Sequence, residues 1–229
     1  MRKNIKSKLK KNFDIVIIGA GGHGREIAVY IESMKKKAAS INLLGFIDEN
    51  KKLGTCGVSR VLGDISFLQK ETSNLKKDKT LYYITAIGDP VVRKKLIERL
   101  DKIEKILPMT ISHESARIFQ DVLIGDGTCI APGSIITTNV RIGRHVIVNI
   151  NATISHDCVL EDYVTVSPGA TICGNVKICE GAFIGAGATI MQGITIGKWS
   201  IIGAGAMVIS DIPEHVTAVG VPTRIINKT

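Results

Sequence analysis

Aromatic residues make up only 4% of this 229-residue chain, with one tryptophan, which excludes a row of stacking platforms for single-stranded nucleic acid. Six prolines against 23 glycines fit neither a Pro-rich linker nor a collagen repeat. The five cysteines are an odd number without paired spacing, so a disulfide framework is not expected; Cys129, Cys158, Cys173 and Cys179 stand among aliphatic neighbours and read as reduced, half-buried thiols. No run of 18 apolar residues occurs, so no membrane-spanning helix is expected, and the N-terminus lacks the apolar stretch and cleavage site of a secretory signal. The cytoplasm is therefore the expected compartment. Acid is absent from residues 1–12, which carry six Lys/Arg and read as a basic, disordered tail. The other 217 residues hold 24 basic and 21 acidic side chains, too even a balance to suggest a nucleic-acid or membrane partner. With 45% hydrophobic residues and 22% charged, wholesale disorder is also excluded.

Two halves with different periodicity follow the tail. Over 13–108, strands alternate with helices. FDIVIIG (13–19) is an apolar run ending in glycine, and residues 24–37 place Ile27, Ile31 and Met34 at helical spacing. INLLGFID (41–48) is a second strand, a shorter one includes Val58 and Val61, and TLYYITAIG (80–88) is another. Pro90 opens a helix over 90–101, and KILP (105–108) closes the series. This pattern predicts an α/β domain with a small parallel, Rossmann-like sheet.

From residue 109 to the end the rule is different. Every sixth position from Ile118 to Val208 is Ile, Leu or Val, sixteen times without an insertion, and the position four later is mostly small or β-branched. A period of six is neither helical nor a simple alternation; it marks a parallel β-helix built of hexapeptides. Three hexapeptides close a triangular coil of 18 residues, so the repeat makes slightly more than five coils, about 25 Å long at a strand spacing of about 4.8 Å.

Two motifs carry the chemistry. His156 stands two places after Ile154, at a turn between prism faces, and so points outward. Asp157 follows it, and a carboxylate beside an imidazole can orient the ring and raise its basicity. Geometry alone also suits an ordinary surface histidine. Gly174 lies eighteen residues on, one coil above on the same edge, where a glycine lets a ligand approach its backbone N–H. The second motif is GAGGHG (19–24), between a strand and a helix, where α/β folds hold phosphate on backbone N–H groups. Its Gly19-x-Gly21-x-x-Gly24 spacing also fits a dinucleotide fingerprint, but about 95 residues are too few for a full two-half dinucleotide fold.

These motifs, with FIDEN (46–50), ITAIGD (84–89), ISHESA (111–116), ISHDCVLEDYVTVSPGATICGNVKI (154–178) and VGVPTRII (219–226), resemble bacterial sugar acetyltransferases of the PglD and NeuD type. The resemblance covers about 13–226 and implies a left-handed β-helix, acetyl-CoA as co-substrate, no metal, and a homotrimer with acetyl-CoA between subunits. It implies that His156 is the general base with Asp157 supporting it, and that the Gly174 N–H donates to the thioester carbonyl. Thr165, Ala186 and Ala204 would line the CoA arm, and Asn149 would stand near the reacting group. Gly21, Gly22 and His23 would contact the diphosphate or sugar of a nucleotide-sugar acceptor, Asp48 and Glu49 its base or ribose, and Gly88 the base pocket. Several members carry a second histidine where this chain has Thr165, a departure that leaves O-acetylation of a sialic-acid-type sugar as the alternative to N-acetylation. A zinc site of the carbonic-anhydrase kind gains no support, because His145, His156 and His215 share no edge in the eighteen-residue frame. A noncatalytic scaffold would have no use for His-Asp beside a stacked glycine.

Overall fold

The structure, a computed structural model, describes residues 13–35, 41–50, 52 and 54–228; the basic tail at 1–12 lies outside them. The first half is a three-helix, six-stranded α/β unit: β1 (Phe13–Ile18), α1 (Gly22–Lys35), β2 (Ile41–Ile47), β3 (Gly54–Cys56), β4 (Ser59–Gly63), α2 (Ile65–Ser73), β5 (Leu81–Thr85), α3 (Pro90–Leu100) and β6 (Ile106–Pro108). The sheet order is β3-β4-β2-β1-β5-β6, parallel except for the β3–β4 pair. The chain leaves β1 toward β2 and later returns to its other side as β5, so the order reverses beside β1. Ligands in open α/β sheets bind at such a reversal, outside the carboxyl ends of the strands.

Three local details differ from the sequence expectation. The strand assigned to Val58 and Val61 is a hairpin: Gly57 takes φ +60°, and Val58 is an exposed turn residue while Val61 is buried in β4. Helix α2 has no counterpart in the sequence reading, because its buried stripe of Ile65, Leu68 and Thr72 is short and ends in a polar residue; Asp64 starts it by accepting the Phe67 N–H at 3.0 Å. Helix α1 begins at Gly22, two residues earlier than the apolar spacing indicates.

Beyond β6 the chain winds into a three-sided prism. Strands of two residues pair in parallel with those eighteen positions away, as in Ile130 with Val148, Ile136 with Ile154 and Ile142 with Leu160. The first face begins at Ile111–Ser112, one strand before the aliphatic series, where Ser112 interrupts the pattern. It ends in the antiparallel pair Val216–Val219 and Arg224–Lys228. The inward residues form one continuous dry core from Ile130 to Ala218. The corners turn through left-handed residues, mostly Gly or Asn, which tolerate positive φ.

The corner between the third and first faces breaks that preference. His145, Tyr163 and Trp199 stand there at φ 54°, 61° and 57°, a conformation that costs about 1–2 kcal/mol for a bulky residue. The α/β unit packs against this corner and the adjoining face. Ile27 and Ile31 of α1 share a core with Ile111, Cys129 and Ala131. The His145 ring is fully buried between Tyr83 and Tyr163, with centroids 6.1 and 5.9 Å away and nearly parallel planes. Neither of its ring nitrogens has a hydrogen-bond partner among the described residues.

That sandwich makes the joint acid-sensitive. Burial, then Arg144 and Arg93, push the His145 pKa down to about 4. The unfolded chain takes up this proton near pH 6.5 and the folded chain does not, so the linkage is silent above that range. Stability falls as pH drops from about 6.5 to about 4, by about 3 kcal/mol in total. Urea unfolding of His145→Phe should show a shallower loss over that window than the parent. The slope is the quantity read, because the substitution also changes the stack.

Candidate active site

His156 occupies the second–third edge of the prism, just past Thr153–Ile154, and its side chain is 54% exposed. Its Nδ1 pairs with Asp157 Oδ2 at 2.8 Å. Asp157 is the left-handed corner residue, at φ 61°, and this bend turns its carboxylate back toward the ring. Asn139, one coil below, donates from Nδ2 to Asp157 Oδ1 at 2.6 Å. The amide of Asn139 first, then the His156 ring, hold the Asp157 carboxyl below its ordinary range. An ionised Asp157 accepts the Nδ1 proton, so the neutral imidazole keeps its lone pair on Nε2. Sequence reasoning did not single out Asn139, although its distance of eighteen residues from Asp157 is the signal that finds it.

The ring occupies the space beside Gly174. A Cβ on that residue would stand 2.5 Å from His156 Cε1 and 2.6 Å from Nε2, so only glycine leaves the imidazole its place. The neighbouring Asn175 N–H is taken by the His156 carbonyl at 2.9 Å, whereas the Gly174 N–H donates to nothing among the described residues. A base and a free N–H donor therefore adjoin on one open edge.

The remaining expected residues fall into three places. Ala186 and Ala204 are exposed and stacked on the first–second edge, each followed by a positive-φ glycine, Gly187 or Gly205, with open space around it. Asn149 borders the same edge, where its Oδ1 accepts the Ile150 N–H at 2.8 Å. These three are thus on a different edge of the chain from His156 and Gly174. Thr165 joins neither group. It is buried on the first face, where its hydroxyl donates to the Gly88 carbonyl and accepts from Arg93, both at 3.0 Å. The expected contact with the CoA arm meets a hydroxyl already engaged inside the joint.

The front residues line the strand reversal. Gly19 turns at φ +109°, and a Cβ on Gly24 would strike the Gly19 carbonyl, so these two glycines let α1 start tight against β1. Gly21 and Gly22 are exposed with open space around them at the α1 N-terminus. His23 follows them with Nδ1 3.2 Å from Glu26 Oε2; its Nε2 is buried without a partner among the described residues, and burial lowers its pKa. A cavity of about 260 Å³ opens beside this turn, walled by Ile47, Ile65, Ile87 and Leu96. Asp48 at its mouth accepts the Ala20 N–H at 2.8 Å and the Asn50 N–H at 2.9 Å, so its carboxylate also fixes the loop. Glu49 is ion-paired with Arg99, a residue the sequence reading passed over.

An α/β unit joined to a hexapeptide prism, with an Asp-supported histidine against a glycine on an open edge, defines a left-handed β-helix acyltransferase. Residues 14–100 match the PglD N-terminal domain family, and 139–174 and 175–210 match the bacterial transferase hexapeptide family. PerB from Caulobacter crescentus, solved with CoA and GDP-perosamine, is 30% identical, with a TM-score of 0.82 over 93% of this chain and 97% of that one. WeeI from Acinetobacter baumannii AYE is 32% identical, with a TM-score of 0.81 over 93% of this chain and 100% of that one. A GDP-perosamine N-acetyltransferase of Escherichia coli O157:H7 is 35% identical over 143 residues; the match spans 62% of this chain and 62%, under two thirds, of that relative's length. The chain belongs to the PglD-type bacterial sugar acetyltransferases.

Among the described residues no helix is long and apolar enough to cross a membrane. No group of three or more His, Cys, Asp or Glu among them could hold a metal ion.

Proposed function

We propose that this chain moves the acetyl group of acetyl-CoA to the amino group of a nucleotide-linked amino sugar, in bacterial surface-glycan or glycoprotein sugar synthesis. The observation that carries the reading is the His156–Asp157 pair packed beside Gly174, whose N–H donates to nothing among the described residues. In the transfer, the sugar nitrogen attacks the thioester carbonyl. His156 Nε2 takes the proton the amine loses, and the Gly174 N–H donates to the oxygen as it gains charge. The C–N bond forms, the C–S bond breaks, and the proton on His156 goes to the departing sulfur. Asp157, steadied by Asn139, keeps the ring in the tautomer this requires.

The nucleotide end of the acceptor is assigned to the cavity at the strand reversal, with Asp48 and Glu49 at the base or ribose. The phosphates fall to the open N–H groups at Gly21 and Gly22 and to the unpaired Nε2 of His23. The bare strip along Ala186–Gly187 and Ala204–Gly205 fits the narrow arm of CoA. GDP-perosamine, bound by PerB and named for the Escherichia coli relative, is the first acceptor to try. A thiol-release assay with acetyl-CoA and a panel of GDP-, UDP-, dTDP- and CMP-sugars, with free sialic acids, tests the assignment. Release only with free sugars would replace it by the O-acetylation reading.

The placement of Ala186, Ala204 and Asn149 on one edge and His156 and Gly174 on another supports a homotrimer. The second face between those edges shows Thr153, Thr171 and Thr189 in register, an uncharged flat ladder. A three-fold axis in front of that face sets the first–second edge of one chain beside the second–third edge of the next, completing a site from two copies. Light scattering at micromolar concentration should read three chains per particle; a monodisperse monomer there would contradict the shared site.

A further inference from the structure

We infer that Arg93, with Thr165, is a positioning bracket that holds the loop at 87–88, whose Ile87 walls the cavity assigned to the acceptor's nucleotide, against the one prism coil that carries the catalytic base. The inference rests on the acetyl-transfer reading for what the loop and the base do, and on hydrogen bonds alone for the bracket.

Arg93 lies on the buried stripe of α3 with Ile97 and Leu100, and is itself fully buried. No carboxylate among the described residues forms an ion pair with it. Its Nη1 donates to the carbonyls of Ile87 and Gly88, at 2.7 and 3.1 Å. Its Nε donates to the His145 carbonyl at 3.0 Å, and its Nη2 to the carbonyls of Tyr163 and Val164 and to the Thr165 hydroxyl. The Thr165 hydroxyl passes its own proton on to the Gly88 carbonyl. His145 and Tyr163 are eighteen residues apart, the two ends of a single coil, and His156 is on that coil. One guanidinium thus ties the start and finish of the catalytic coil to residues 87 and 88.

The choice of residue follows from geometry. A planar guanidinium presents five N–H groups in a fixed fork and stays charged when buried; a lysine could not reach these acceptors at once. Carbonyl and hydroxyl acceptors carry no full charge to neutralise it, so a cation with only such hydrogen-bond partners is an expensive way to glue two domains that already share an apolar core. What the fork adds is direction: the loop carbonyls cannot slide along the prism without losing bonds to it. Lys94, the next residue, lies over the rings of Tyr163 and Trp199 and pairs with Glu180 at 2.8 Å, which fixes the rotation of α3 on the same corner.

Thr165→Val is the test, since it keeps shape and burial and leaves every other Arg93 bond in place. Loss of the hydroxyl should raise KM for the nucleotide sugar about tenfold and lower kcat severalfold, in line with removing one hydrogen bond to a charged group. KM for acetyl-CoA and the shape of the pH profile should not move. Amide exchange over residues 86–92 should quicken by about tenfold while the prism core stays protected. Thr165→Ser, which keeps the hydroxyl, should restore both readouts. Arg93→Lys should act in the same direction and more strongly. An unchanged sugar KM together with unchanged exchange at 86–92 would overturn the bracket, as would an equal rise in both KM values. A parent enzyme that acetylates no nucleotide sugar removes the functional reading instead, and the exchange comparison still decides whether the bracket exists.

Discussion

His156→Ala is expected to lower kcat by about 10²–10⁴, the usual worth of a positioned general base, with little change in acetyl-CoA affinity or melting temperature. The side chain is 54% exposed and, among the described residues, Asp157 is its one side-chain hydrogen-bond partner, so truncation opens no core cavity. The amine must shed a proton as it bonds to carbon, and the imidazole accepts it only when neutral. Asp157→Ala should cost less, because Asn139 and Asp157 only orient and polarise the ring. A variant at position 156 with full kcat would remove this residue from the chemistry and return attention to His23, whose Nε2 is buried and unpaired at the front loop.

Gly174→Ala should be nearly as damaging, by a route that leaves the fold alone. The glycine is not in the left-handed region, so alanine suits its backbone. The added methyl would instead collide with the imidazole at 2.5–2.6 Å. The ring is the free end of an exposed side chain and can swing out, so the cost in stability is small. Its swing breaks the Nδ1 bond to Asp157 and carries Nε2 away from the reacting nitrogen. A displacement of this kind is enough to lower kcat by about 10²-fold. Melting temperature and kcat measured together separate this from unfolding: parallel falls in both would show that the glycine serves the coil rather than the base.

The prism was legible because its rule is strict. Each inward position faces the same position eighteen residues away, so burial imposes Ile, Leu or Val at every sixth residue and exposes phase directly. His156, Asp157 and Gly174 fall into place from that phase. The α/β half obeys weaker rules. Its strands announce themselves as apolar runs, but α2 offers too short a stripe to register, and the β3–β4 hairpin turns on a single glycine. Thr165 shows a different limit. Its phase puts it on the first face, but nothing in the repeat reveals that another domain covers that face there. Arg93 had a faint signal, a cation in step with Ile97 and Leu100 on an apolar helix stripe, and such a cation reads as a surface residue until its six acceptors, drawn from both halves of the chain, are seen.

The coil spacing also fixes which parts of this enzyme can change length. Inserting one residue within a prism strand, with no corner bulge to absorb it, would shift every later aliphatic side chain out of phase, whereas inserting eighteen would lift everything beyond by one strand spacing, about 4.8 Å, with all side chains in phase. Since α3 grips the two ends of the coil from His145 to Tyr163, the loop at 87–88 and His156 keep their separation however many whole coils are stacked above or below. Height is thus a free variable of this architecture, and the distance from the loop at 87–88 to His156 is not.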